Sequence, residues 1–202
     1  MEMCNTPQRA DEKQQRTNRV ILPTLLQSGM SLIELSISLC IMIVLLSATA
    51  PAFTGMLDQH RLKSATSTLY LSIHHARSEA IKRNQKIRLT FKTSHQGTVW
   101  CYGLKVDAAC NCTVPASCQI DGLERIVDSA GYPGVSIDPH ISSPGDHFTF
   151  ENIRWITAGT FGHVRLNSSE AKQTRVIVSR MGRTRLCSPQ GSAHVAGYAT
   201  AC

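Results

Sequence analysis

The sequence predicts an α+β protein: a long N-terminal helix, its first half suited to span a membrane, packed on a small antiparallel β-domain of many short strands. Three observations carry this. Residues 35–57 hold no charged side chain. Residues 53–80 then place apolar side chains at helical spacing. From residue 86 onward the chain breaks into short strand-like runs divided by glycine and proline. With 42% hydrophobic and 17% charged residues over 202 positions, the composition excludes a disordered or collagen-like chain. A net charge of +7 admits nucleic acid, anionic lipid or an acidic protein as partner, without choosing among them.

As a helix, residues 35–57 would rise about 34 Å, enough for a bilayer core. Arg9, Lys13, Arg16 and Arg19 precede it against Glu2, Asp11 and Glu12, so the basic side stays cytoplasmic and the remainder faces out. An ordinary signal peptide could be cut at Ala48-Thr49-Ala50. Pro51 would follow that cut, however, and its ring makes a poor protease substrate. Glu34 also sets a carboxylate in the apolar stretch, at roughly 2.5 to 3.5 kcal/mol on insertion scales, which marks it as functional.

Beyond the apolar segment, Phe53, Leu57, Ala65, Leu69, Ile73, Ala76 and Ala80 form a helical stripe, with Arg61, Lys63, Arg77 and Lys82 off it. Asn84 is the expected C-cap region. Strands are expected over 86–92 (Ile87, Leu89 and Phe91 on one face), 98–106, 125–128, 135–138, 147–154, 160–166, 175–179 and 183–187. Gly97, Gly122, Gly131, Pro133, Gly134, Pro139, Pro144, Gly145, Gly159 and Gly182 mark turns, and the short spacing argues for antiparallel pairing. Residues 110–122 read as a polar, cysteine-bearing loop.

Cys40 lies in the apolar segment and Cys4 ahead of it, leaving Cys101, Cys110, Cys112, Cys118, Cys187 and Cys202 in the outward part. That even number in an oxidising space reads as disulfides. Cys187 and Cys202 are expected to join, closing a loop for which chain entropy gives about 3 kcal/mol. Cys110 and Cys112 are too close to bridge each other and are expected to pair separately with Cys101 and Cys118, in an order the sequence leaves open. The competing zinc site from these four lacks paired C-x2-4-C knuckles. His74 and His75 point apart on a helix, while His60, His95, His140, His147, His163 and His194 stand singly and read as structural or solvated. There is no G-x-S-x-G, H-E-x-x-H, Walker loop or Rossmann glycine run, so no enzyme, cofactor or metal is expected.

Positive charge gathers at the C-terminal end. Residues 152–202 hold Arg154, Arg165, Lys172, Arg175, Arg180, Arg183 and Arg185 against Glu170 alone. In a strand, Arg183 and Arg185 project to one face, and Gly182 permits a tight turn that keeps Arg180 close. On charge alone such arginines read as solvated residues guarding a sheet edge. Arg77, Lys82, Arg83, Lys86, Arg88 and Lys92 form a second basic set, read as a solvated helix end favoured by the dipole.

The run Gly29-Met30-Ser31-Leu32-Ile33-Glu34-Leu35 resembles the prepilin cleavage motif of type IV pilin-like proteins, departing at Met30, where most members have phenylalanine. The resemblance implies that a membrane prepilin peptidase cuts after Gly29 and methylates Met30. Glu34 then becomes the fifth residue and pairs with a neighbouring subunit's terminal amine, which offsets its desolvation. The organisation implied is a cleaved leader over 1–29, a transmembrane and assembly helix over 30–56, its amphipathic continuation over 57–84 and a β-domain over 85–202. In layout, and at Trp100, residues 148–162 and Gly182-Arg183-Thr184-Arg185-Leu186-Cys187, the chain resembles the GspH/FimT minor-pilin group. The G-R-x-R element of FimT-type members is implicated in DNA capture, which implies double-stranded DNA as a partner beside other major and minor pilins. It also implies an inner-membrane protein with its C-terminal domain in the periplasm, carried outside on a pilus after assembly. Arginines without interleaved aromatics suit phosphates and carry little sequence preference. The alternative is an H-type pseudopilin of type II secretion, or a pilus-tip assembly subunit, with no ligand of its own.

Overall fold

A computed structural model describes residues 29–142, 146–151, 159–200 and 202, the side chains of 48–52 excepted. The expected leader therefore lies outside the described residues up to position 28, as do the turn at Pro144 and Gly145, and Arg154. The chain forms two compact units, Met1–Val44 and Leu45–Cys202.

Helix α1 (Leu32–Arg83) opens in the first unit, where Leu35, Ile37, Leu39, Ile41, Met42, Ile43 and Val44 are all exposed. Among the described residues no helix is long and apolar enough to cross a membrane.

In the second unit α1 buries Leu62, Ala65, Thr66, Leu69, Ile73, Ala76 and Ala80, a stripe spaced at three and four residues. Its alanines let the helix approach the sheets closely. Phe53 and Leu57, expected on this stripe, stand 62% and 38% exposed, because the packed stripe begins only at Leu62, more than a turn further on.

Among the described residues ten strands follow: β1 (Ile87–Ser94), β2 (Val99–Val106), β3 (Gln119–Ile120), β4 (Leu123–Glu124), β5 (Ile126–Asp128), β6 (Val135–Ile141), β7 (His147–Phe150), β8 (Gly162–Ser168), β9 (Gln173–Val178) and β10 (Thr184–Cys187). They make two four-stranded sheets, ordered β5-β2-β1-β7 and β10-β9-β8-β6, and the hairpin β3-β4. Every strand pairing is antiparallel. All eight expected strands have a counterpart. The β3-β4 hairpin falls partly within the expected loop over 110–122, β7 ends at Phe150, and Pro139 sits inside β6 rather than at a turn. β6 is an edge strand, so the missing proline N–H leaves no ladder bond unmade on its open side.

Ile87, Leu89, Phe91, Phe148 and Phe150 of the first sheet and Ile137, Val164, Leu166, Val176 and Val178 of the second meet the helix stripe in one core. Thr66 of α1 and Thr174 of β9 share a buried hydrogen bond of 2.6 Å. Disulfides join Cys101 to Cys112, Cys110 to Cys118 and Cys187 to Cys202. The last secures the tail, where Ser188 N–H donates to the Ala199 carbonyl at 2.9 Å. Gly103 makes room for the second: a Cβ there would lie 2.4 Å from Cys118 Sγ.

Candidate functional site

The basic cluster is built on the hairpin between β9 and β10. Gly182 N–H donates to the Ser179 carbonyl at 2.8 Å, and Ser179 N–H to the Arg183 carbonyl at 3.0 Å. Arg180, Met181 and Gly182 thus form a three-residue loop, of the kind that closes on a left-handed residue, and Gly182 has φ +69°. Arg183 N–H donates to Ser179 Oγ at 3.1 Å. Arg77, a full helix away in sequence, donates from Nη1 to the buried Gly182 carbonyl at 3.0 Å. It therefore holds the hairpin from below rather than solvating a helix end.

Arg180, Arg183 and Arg185 are all exposed, as is Met181 at 79%. The Arg180 guanidinium lies 4.3 Å over the Phe161 ring, a cation–π contact that leaves its edge towards solvent. Strand register shows what else shares this face. Arg185 pairs with Ile177, Ile177 with His163 and His163 with His140, making one row across four strands. Cys187, Arg175, Arg165 and Asp138 form the next row. Two residues on in the other direction, Arg183 faces Ser179. Because side chains alternate between faces, all these point away from the core, while Val164, Leu166, Thr174, Val176 and Val178 point into it.

The face is mostly basic. Its acidic member in these rows is Asp138, which accepts from Arg165 Nη2 at 2.7 Å. The same Nη2 lies 2.8 Å from His140 Nε2, and the His140 and His163 rings stack with centroids 4.9 Å apart. Partial burial holds the His163 pKa below the usual imidazole range, helped by His140, Arg175 and Arg165 and opposed by Asp138. His140 and His163, read from the sequence as isolated, are thus neighbours. The signal was present as period-two alternation of His163 with Arg165 and of Arg175 with Ile177, but pairing the strands required register.

The second basic set is largely engaged by acids. Arg83 bonds Glu79 at 2.6 Å and also clamps Asp121, and Lys86 meets Glu151 at 2.8 Å. Hydrogen bonding to Arg83 lowers the pKa of both Glu79 and Asp121. Gly29, Met30 and Glu34 belong to the N-terminal unit, with Glu34 exposed in the first turn of α1, where its charge suits the helix dipole. Cys101, Cys110, Cys112 and Cys118 are all bridged, so none offers a thiolate to a metal. Among the described residues no group of three or more His, Cys, Asp or Glu could hold one.

Residues 65–182, more than half of the chain, match the family model described as Type II transport protein GspH. The chain belongs to the GspH family. Solved structures similar to this GspH-family chain include the type IV minor pilin FimU of Pseudomonas aeruginosa, at 20% identity and a TM-score of 0.45, covering 68% of this chain and 98% of that one. The minor pseudopilin EpsH from the Type 2 Secretion System of Vibrio cholerae is similar at 14% identity and a TM-score of 0.45, covering 65% of this chain and 99% of that one. No curated protein matches the chain.

Proposed function

We propose that this GspH-family chain is a FimT-type minor pilin that binds double-stranded DNA through Arg183 and Arg185, with Arg180 beside them, irrespective of base sequence. The observation that carries the reading is the placement of exposed Arg183 and Arg185 on one sheet face, entered through the Gly182 turn that Arg77 holds. The guanidinium fork suits phosphate oxygens. The rest of the reading comes from the N-terminal sequence. A prepilin peptidase cuts after Gly29 and methylates Met30, the charge-free stretch over 35–57 anchors the chain in the inner membrane, and Glu34 serves assembly with other pilins. The β-domain then faces the periplasm and travels outside with the pilus.

The deciding experiment is a salt titration of duplex binding by the full chain in nonionic detergent. Replacing both arginines with glutamine should weaken binding to every sequence alike and shallow the log K against log salt slope by roughly 1.8, at about 0.9 per phosphate contact. Unchanged affinity and slope in the folded variant would favour the second reading, an H-type pseudopilin without DNA binding, which the family's type II transport description supports.

A further inference from the structure

We propose that His140 and His163, with Arg165 and Arg175 in the adjoining row, form a second phosphodiester subsite on the same sheet face, occupied by DNA with uptake of protons at mildly acidic pH. The proposal rests on the DNA-binding reading above and extends its footprint from the hairpin across all four strands. Arg185, Ile177, His163 and His140 are register partners on successive strands, so a path from the first to the last covers three strand spacings, about 14 Å. The Arg183, Arg185 and Cys187 rows follow one another at two-residue steps of about 7 Å, close to the rise of two base-pair steps in a duplex. A phosphate backbone lying over the hairpin arginines meets the imidazoles next.

The local chemistry favours an anion there. His140 and His163 stack nearly parallel, at 9° between planes, an arrangement that two imidazolium rings cannot hold without a counter-charge. The groups facing the pair are Asp138 on its own edge strand, Arg165 between them, and Arg175 and Arg185 on the two strands beyond. Asp138 is engaged by Arg165 at 2.7 Å and reaches His140 Nδ1 at 3.4 Å, so the remaining positive charge is not balanced within these rows. Partial burial first, then His140, Arg175 and Arg165, lower the His163 pKa. A phosphate oxygen brought to the exposed ring edges accepts in plane from an imidazolium N–H and offsets the repulsion. By linkage, binding raises the His163 pKa, and affinity climbs as pH falls from its value in the complex towards its lowered value in the free protein. A lipid surface fits the face poorly: exposed Met181 at the hairpin tip and half-buried Ile177 and Phe161 are too few apolar groups to enter a bilayer.

The test uses the full chain in nonionic detergent with a short duplex, titrated with salt at about pH 7.5 and about pH 5.5. Wild-type protein should bind more tightly at the lower pH, by about tenfold, with a slope steeper by roughly 0.9 for each imidazolium engaged. In H140Q/H163Q the ratio between the two pH values should fall to near one. In R183Q/R185Q, binding should weaken at both pH values and the ratio should persist. Independently of any variant, the NMR titration midpoint of His163 should move upward when the duplex is added. A pH gain that survives in H140Q/H163Q, or an unmoved His163 midpoint in a chain that does bind DNA, overturns the subsite and leaves the hairpin reading standing. No binding by wild type at either pH removes both.

Discussion

Arg77 on the helix and Gly182 in the β9–β10 hairpin are joined by a 3.0 Å hydrogen bond that spans 105 positions of sequence. The guanidinium thereby positions a loop whose other side carries the exposed arginines. Arg77→Met keeps the apolar stem and removes the donor. It should destabilise the protein by about 1.5 to 3 kcal/mol at most, as for a charge-assisted bond, and raise amide exchange at Arg183 more than at Val176. Equal protection at both sites would mean that the hairpin holds its shape unaided.

Gly182 takes φ +69°, a conformation that costs an L side chain about 1 kcal/mol or more. Gly182→Ala should therefore lower the unfolding midpoint and weaken DNA binding by displacing Arg183. Substitution to asparagine, which tolerates this region better, should recover part of both. Chemical denaturation beside a binding titration checks the pair.

The Thr66–Thr174 contact makes an asymmetric prediction. Thr66 Oγ1 also bonds the Leu62 carbonyl at 2.7 Å, so it keeps a partner when Thr174 is lost. Thr174 has no such reserve shown. Thr66→Val should cost about 1 to 3 kcal/mol, Thr174→Val less, and the double variant less than the sum. Equilibrium unfolding of the four proteins gives the cycle.

Removing the tail disulfide, as in C187A/C202A, should cost about 3 kcal/mol in the chain-entropy account of a 15-residue loop. A drop in denaturant midpoint larger than that would show that residues 188–200 also contribute packing through buried Val195.

Acid should act in opposite senses on the free and DNA-bound protein. His163 has a lowered folded pKa, so between the ordinary imidazole value and that lowered value the unfolded chain binds more protons, and stability falls as pH falls through this window. Bound DNA should reverse that trend. Thermal unfolding across the imidazole range, with and without duplex, reads both signs, and His163→Gln should flatten the free-protein slope.

Much of the fold was legible because its signals are local. Leu69, Ile73, Ala76 and Ala80 carry helical spacing, and Ile87, Leu89 and Phe91 alternate as a strand should. The hairpin of β3 and β4 was missed because two-residue strands have no period to read and their loop is dominated by cysteine. For the site, charge and the Gly182 turn could be seen, but not that Arg165, Arg175, His140 and His163 share the face of Arg185. Register is set by tertiary pairing, and a slip of one residue would have sent each of them into the core. Nothing local tied Arg77 to Gly182.

Gly103 has a consequence for how the cysteines find one another. The bridges Cys101–Cys112 and Cys110–Cys118 interleave along the chain, and the other order open to these thiols joins Cys101 to Cys110 and Cys112 to Cys118. The bare backbone at Gly103 leaves a notch beside β2 that Cys118 Sγ fills in the native arrangement. Correctly joined, the loop seats against the sheet and buries Cys118 completely. Gly103 thus favours the native pairing, in which the Cys118 sulfur fills the notch and is closed to thiolate attack.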